Sequence, residues 1–79
     1  MNLRVRYFAV LRDRAGVGEE SLECASTTAR ALVRELIERR HLGLESPMIR
    51  VAINGQFVDD DAPLNEGDEV VLIPPVAGG

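Results

Sequence analysis

The sequence predicts an α+β fold, one sheet with one main helix on one of its faces, and three observations carry that expectation. Asn2 to Val10 and Met48 to Ile53 alternate apolar with polar side chains at the period of half-buried strands. Between them, Ala29, Leu32, Val33, Leu36 and Ile37 recur at the spacing of an amphipathic helix. Near the end, Val70, Val71, Leu72 and Ile73 are apolar on both strand faces, as in a strand covered on both sides.

In order, the first strand sets Leu3, Val5 and Tyr7 against Arg4, Arg6 and Phe8. Arg12 to Gly18, with two glycines and mixed charge, reads as a loop. Glu19 to Cys24 reads as a second strand, with Leu22 and Cys24 on one face, paired with the first as a hairpin. Thr27 or Ser26 is placed to cap the helix, and Glu35 precedes Arg39 by the four residues that favour a surface ion pair. Arg39, Arg40 and His41 gather where the helix dipole favours cations, and Gly43 is the expected C-cap. After Met48 to Ile53, Asn54-Gly55 is a tight-turn signal, and Gln56 to Val58 returns as a strand. Pro63-Leu64 and Gly67-Asp68 mark turns before the final strand, Glu69 to Ile73.

Seventy-nine residues make one small domain. A chain of that size buries only about 60 to 65% of its unfolded surface, which disfavours a deep private active site. No apolar run approaches the roughly 20 residues that cross a bilayer, and Met1 to Val10 lacks the pattern of an export signal. The expectation is a cytoplasmic protein with no membrane partner. The net charge of -4 and pI near 4.8 argue against nucleic acid, whose phosphates need a clustered positive surface. All nine basic residues are arginine, so the chain cannot build side-chain-linked polymers of itself.

Chemistry-bearing side chains are few. Cys24 is the sole cysteine, which excludes an internal disulfide and multi-cysteine metal sites; it reads as a small buried hydrophobe. His41, the sole histidine, reads as a helix-end cation or solvated side chain, because no nucleophile or ligand set accompanies it. Asp59 to Asp61 lacks the spacing of a calcium loop and reads as solvated. No metal site is expected.

The carboxyl end is different. The sequence closes on Gly78-Gly79, directly after an apolar strand and a Pro74-Pro75 pair. Two glycines make the narrowest peptide that can be threaded into another protein's active site, and the prolines stiffen its base. Val76 and Ala77 are apolar, unlike the polar composition of frayed ends. Drawn out, Pro75 to Gly79 would span roughly 15 to 18 Å. The expected organisation is a folded domain over residues 1–74 and an extended tail over 75–79, with the terminal carboxylate as the reactive group.

One further expectation concerns the sheet. If the helix packs on the face bearing Leu3, Val5, Ile49 and Val51, the other face shows apolar side chains of the last strand beside Arg4, Arg6 and Arg50. An uncovered apolar patch with an arginine fringe has the character of a docking surface.

The order of elements resembles the ubiquitin-like β-grasp fold, a mixed sheet with one main helix, and particular stretches resemble one family within it. YFAVLRDRAG from Tyr7 to Gly16 is similar to the opening signature of the small subunit of molybdopterin synthase, the MoaD family. Leu64, GDEV from Gly67 to Val70 and IPPVAGG from Ile73 to Gly79 are similar to its closing signature. Thr28 departs from a helix start that is often branched and apolar in that family.

The resemblance implies a sulfur carrier that is not an enzyme on its own. A terminal carboxylate is ionised at neutral pH and a poor electrophile, so it must first be activated. The family pattern implies that an ATP-dependent, ubiquitin-activating-type adenylyltransferase adenylates Gly79 and that a sulfur donor protein displaces AMP to leave a thiocarboxylate. The sulfur then attacks a pterin precursor in a pocket of the large synthase subunit. Two such transfers would build the dithiolene, in a heterotetramer of two small and two large subunits. No cofactor is bound permanently, and ATP is used by the activating enzyme. The resemblance makes Pro74, Pro75, Val76, Ala77, Gly78 and Gly79 the inserted tail, and Phe57 and Ile73 apolar anchors on the large subunit. The anchors also have a physical rationale: Ile73 lies on a strand with too many apolar faces for one helix, and Phe57 follows a tight turn. The alternatives are a sulfur carrier for thiamine or cysteine synthesis, a ubiquitin-like protein modifier, and an interaction module whose glycines are incidental.

Overall fold

Strand β1 (Asn2–Tyr7) buries Leu3, Val5 and Tyr7 and exposes Asn2, Arg4 and Arg6, so its alternation in sequence is also its alternation in space. It opens residues 1–75, the part of the chain that the computed structural model describes. The strand stops three residues short of its expected end because Ala9 turns to φ 51°, ψ -128°.

A short helix, α1 (Val10–Ala15), then occupies the start of the expected loop. Six residues are too few to show a helical period in sequence. Its signals are local: Leu11 is fully buried in the core, and Gly16 closes the helix in the left-handed conformation, donating its N–H to the Arg12 carbonyl.

Strand β2 (Glu19–Glu23) pairs antiparallel with β1, setting Leu22 opposite Leu3. Helix α2 (Ala29–Arg40) follows and buries Ala29, Leu32, Val33 and Leu36. Its caps are not those expected. Thr28 takes the N-cap, its hydroxyl accepting from the Ala31 N–H at 3.3 Å, while the Ser26 hydroxyl instead donates to Glu35 at 2.6 Å. The C-cap is His41, in the left-handed region at φ 53°, with its N–H on the Ile37 carbonyl. Gly43 lies beyond it, where a Cβ would collide with the Arg14 guanidinium.

A single 3-10 turn, Ser46–Met48, replaces the expected beginning of the third strand, and β3 itself is Arg50–Ile53. The Asn54-Gly55 turn has both residues at positive φ, 50° and 88°, the geometry a two-residue hairpin requires, and it returns the chain as β4 (Gln56–Phe57). The Asn54 side chain ties this turn to the next one: its Nδ2 donates to Asp68 Oδ1, and its Oδ1 accepts from the Glu69 N–H, both at 2.9 Å. Strand β5 (Glu69–Ile73) completes the sheet.

The strand order is β2-β1-β5-β3-β4, with β5 parallel to β1 and antiparallel to β3. Core side chains of α2 and Leu11 of α1 pack with Leu3, Val5, Ile49, Val51, Val70 and Leu72, so both helices serve one face of the sheet. This is the ubiquitin-like β-grasp fold that the resemblance implied. Val71 is nevertheless only 8% exposed on the opposite face. Its sheet neighbours Arg6 and Ala52 flank it there, so lateral neighbours rather than a second layer account for the doubly apolar pattern of β5.

Candidate docking face and tail base

The sheet register decides which side chains share the face away from the helices. Phe57 stands opposite Ala52, Ala52 opposite Val71, and Val71 opposite Arg6, while Ile73 stands opposite Arg50. Residues directly opposite in paired strands point the same way, so Phe57, Val71, Ile73, Arg50 and Arg6 occupy one surface. Phe57 is 57% exposed and Ile73 is half-buried. Phe8 is exposed at the end of β1.

Arginines frame this apolar strip. The Arg50 guanidinium lies 4.1 Å from the Phe57 ring centroid, and that of Arg6 lies 5.8 Å from the Phe8 ring. Arg4 pairs with Glu19 at 3.1 Å, and Arg6 with Glu69 at 3.9 Å. Stacking over an aromatic face suits the weakly hydrated guanidinium and fixes the orientation of an otherwise mobile ring.

The last strand ends at this surface. Ile73 ends β5, Pro74 is buried and Pro75 is exposed. The expected tail residues Val76, Ala77, Gly78 and Gly79 lie outside the described residues.

A family model described as the ThiS family matches residues 5–79, a stretch that contains both signature segments and runs through Gly79. The chain belongs to the ThiS family. It is 36% identical over 83 residues to the molybdopterin synthase sulfur carrier subunit of Chlamydomonas reinhardtii, with 100% of each chain covered. A solved structure from Pyrococcus furiosus, titled putative molybdopterin converting factor, subunit 1, superposes with a TM-score of 0.80 at 32% identity, covering 96% of this chain and 99% of that one. Another, titled as a protein–protein complex of subunits 1 and 2 of the molybdopterin-converting factor from Helicobacter pylori, superposes with a TM-score of 0.70 at 26% identity over 100% of both chains.

Elsewhere in this ThiS-family chain Cys24 and Asp60 are held in structural roles. Burial pushes the Cys24 thiol up, and its Sγ sits 3.9 Å from the Ser26 carbonyl. Of the three successive aspartates, Asp60 pairs with Arg30 at 2.7 Å. Among the described residues no group of three or more His, Cys, Asp or Glu side chains is placed to hold a metal ion. Among the described residues no helix is long and apolar enough to cross a membrane.

One feature of the face was read from the alternation and one escaped it. Phe8 continues the outward parity of Arg4 and Arg6, so its exposure was legible in the alternation. The stacking of Arg50 on Phe57 follows from the two-residue Asn54-Gly55 turn, which fixes position 57 opposite 52 and thus diagonal to 50.

Proposed function

We propose that this ThiS-family chain is the sulfur carrier subunit of molybdopterin synthase, with Gly79 as the group that carries sulfur. The observation that supports this above all is the full-length likeness to a molybdopterin synthase sulfur carrier subunit, inside a family match that runs through Gly79.

The chemistry runs through the carboxyl end. An activating enzyme joins the Gly79 carboxylate to the AMP part of ATP with release of pyrophosphate, which converts a poor electrophile into an acyl adenylate. A donor that supplies sulfur at the sulfide level displaces AMP and leaves a thiocarboxylate. Its sulfur, softer and more nucleophilic than oxygen, attacks carbon on a pterin precursor and takes the place of an oxygen substituent, which leaves. Hydrolysis of the resulting acyl link leaves sulfur on the pterin and regenerates the carboxylate. Two transfers per precursor supply both dithiolene sulfurs.

The large subunit supplies the pocket and catalytic side chains, and this chain is a cosubstrate. Residues 1–74 act as the handle, and Pro74 to Gly79 form the inserted tail. The strip at Phe57 and Ile73 docks on the large subunit, consistent with the two-subunit composition named for the Helicobacter pylori complex. The working assembly is two small and two large subunits in the cytoplasm, with ATP consumed by the activating enzyme.

A chain whose Gly79 is converted to the amide tests the reading in a purified system of activating enzyme, sulfur donor, large subunit and precursor. The expected result is no thiocarboxylate by intact mass and no molybdopterin, while the unmodified chain gives both. Full product from the amide would overturn it.

A further inference from the structure

Two of the three arginines on the exposed sheet face are matched there, Arg4 by Glu19 and Arg6 by Glu69. Arg50 is not. Among the described residues no carboxylate lies within ion-pair distance of its guanidinium. Asp59, Asp60 and Asp61 line the same surface recess as Arg50, but Asp60 is held by Arg30 at 2.7 Å and the other two stay beyond 4 Å of Arg50.

The position is a prepared one. The guanidinium carbon lies over the Phe57 ring, 4.1 Å from its centroid, and an Arg so held offers N–H groups in a fork suited to a planar anion. Arg50 also stands opposite Ile73, the last strand residue before the tail. An unmatched cation backed by an exposed aromatic ring thus marks the point where the tail departs.

We infer that Arg50, stacked on Phe57, is the specificity-determining cation of this face and receives a carboxylate of the large subunit while Phe57 and Ile73 bury against apolar surface beside it. This rests on the reading of the chain as a carrier that docks on that subunit. Burying Phe57 strips water from the neighbouring guanidinium. A facing carboxylate then gains strength, and a partner without one leaves a charge unpaired, which is costly. The apolar strip provides affinity, and Arg50 fixes register and rejects unmatched partners.

The test is calorimetric binding of the full chain to the large subunit of the same organism, at low and high salt, for the unaltered protein, Arg50→Leu, Arg50→Lys and Ile73→Ala. Arg50→Leu is expected to weaken binding about tenfold at low salt and to flatten the salt dependence. Arg50→Lys keeps the salt dependence but recovers only part of the affinity, because an ammonium lacks the planar fork. Ile73→Ala weakens binding with the original salt dependence. Unfolding midpoints of the Arg50 variants should match that of the unaltered chain, since the side chain is exposed. Arg50→Leu binding as tightly as the unaltered chain, or more weakly with undiminished salt dependence, would overturn the assignment alone. Failure of the unaltered chain to bind would remove the carrier reading as well.

Discussion

The Tyr7 hydroxyl donates a hydrogen bond to Glu20 Oε2 at 2.6 Å, joining the end of β1 to β2 beneath the helix. The same carboxylate accepts Arg40 Nε at 2.8 Å and Nη2 at 2.5 Å, so one acid staples both strands to the last turn of α2. Tyr7 is 1% exposed. Tyr7→Phe keeps the packing and removes only the hydroxyl, and a hydrogen bond to a charged acceptor contributes about 1.5 to 3 kcal/mol. Urea unfolding should show a loss of that size with an unchanged denaturant slope. A loss near zero would mean that Arg40 alone satisfies Glu20.

The same cluster sets a pH profile whose two limbs have opposite signs. Arg40's hydrogen bonds, aided by Tyr7, hold the Glu20 carboxyl below the usual range, and the Ser26 hydroxyl does the same for Glu35. A lowered folded pKa contributes stability that is present above the unfolded value, about 4.3, and is lost as pH falls through the folded one. Burial, then the Glu20 contact, push Tyr7 well above its ordinary value. A raised folded pKa contributes stability that is complete below about pH 10 and is lost as pH climbs through the folded value. Unfolding midpoints measured against pH should therefore fall off on the acid side less steeply in Glu20→Gln than in the unaltered chain. Tyr7→Phe should remove part of the alkaline decline.

Ala9 holds φ 51°, ψ -128°, a backbone region that favours glycine, and this turn follows β1 and starts α1. Ala9→Gly relieves the Cβ strain, of order 1 to 3 kcal/mol, against a backbone-entropy penalty of about 0.4 to 1 kcal/mol. The expected outcome is a net gain of about 1 kcal/mol by denaturant titration, and Ala9→Val should destabilise. If glycine destabilises, the turn is held by contacts that need the methyl group.

Parity carried most of what the sequence made legible. Leu3, Val5 and Tyr7 against Arg4 and Arg6 gave the inner and outer faces of β1, and Asn54-Gly55 gave the β3–β4 turn. Periodicity cannot see a single helical turn, so α1 and the Ser46–Met48 turn were hidden behind composition that reads as loop and strand. Caps were misplaced by one or two residues because Ser26, Thr27 and Thr28 are chemically interchangeable in sequence. Only the fold decides that Ser26 serves Glu35 and Thr28 the helix. The apolar strip was legible, whereas the pairing of its arginines was not: which of Arg4, Arg6 and Arg50 meets a carboxylate depends on lateral register.

Thr28 lends itself to a direct measurement. Its hydroxyl accepts the Ala31 N–H at 3.3 Å, so Thr28→Ala should cost about 1 kcal/mol, the usual value of an N-cap. Thr28→Ser should cost a few tenths at most, because the accepting oxygen is kept. Equal losses for both would assign the effect to the methyl group rather than the cap.

Leu72 and Ile73 are neighbours on β5 that face opposite ways, and the fold therefore separates stability from docking between adjacent positions. Leu72 is fully buried in the core, whereas Ile73 is half-buried beside Arg50 on the exposed face. Leu72→Ala removes buried methyl groups and leaves a cavity, with an expected loss of about 2 to 5 kcal/mol in urea unfolding. Ile73→Asp should cost less than about 1 kcal/mol, since the carboxylate stays hydrated in the free protein. Against the large subunit the order reverses at temperatures where both variants are folded. Leu72→Ala should bind nearly as the unaltered chain does, and Ile73→Asp should bind at least tenfold more weakly, by roughly 1.4 kcal/mol or more, because docking would desolvate the new charge. Should Ile73→Asp bind normally while remaining folded, the interface lies off this face, and the tail must be delivered from another side of the domain.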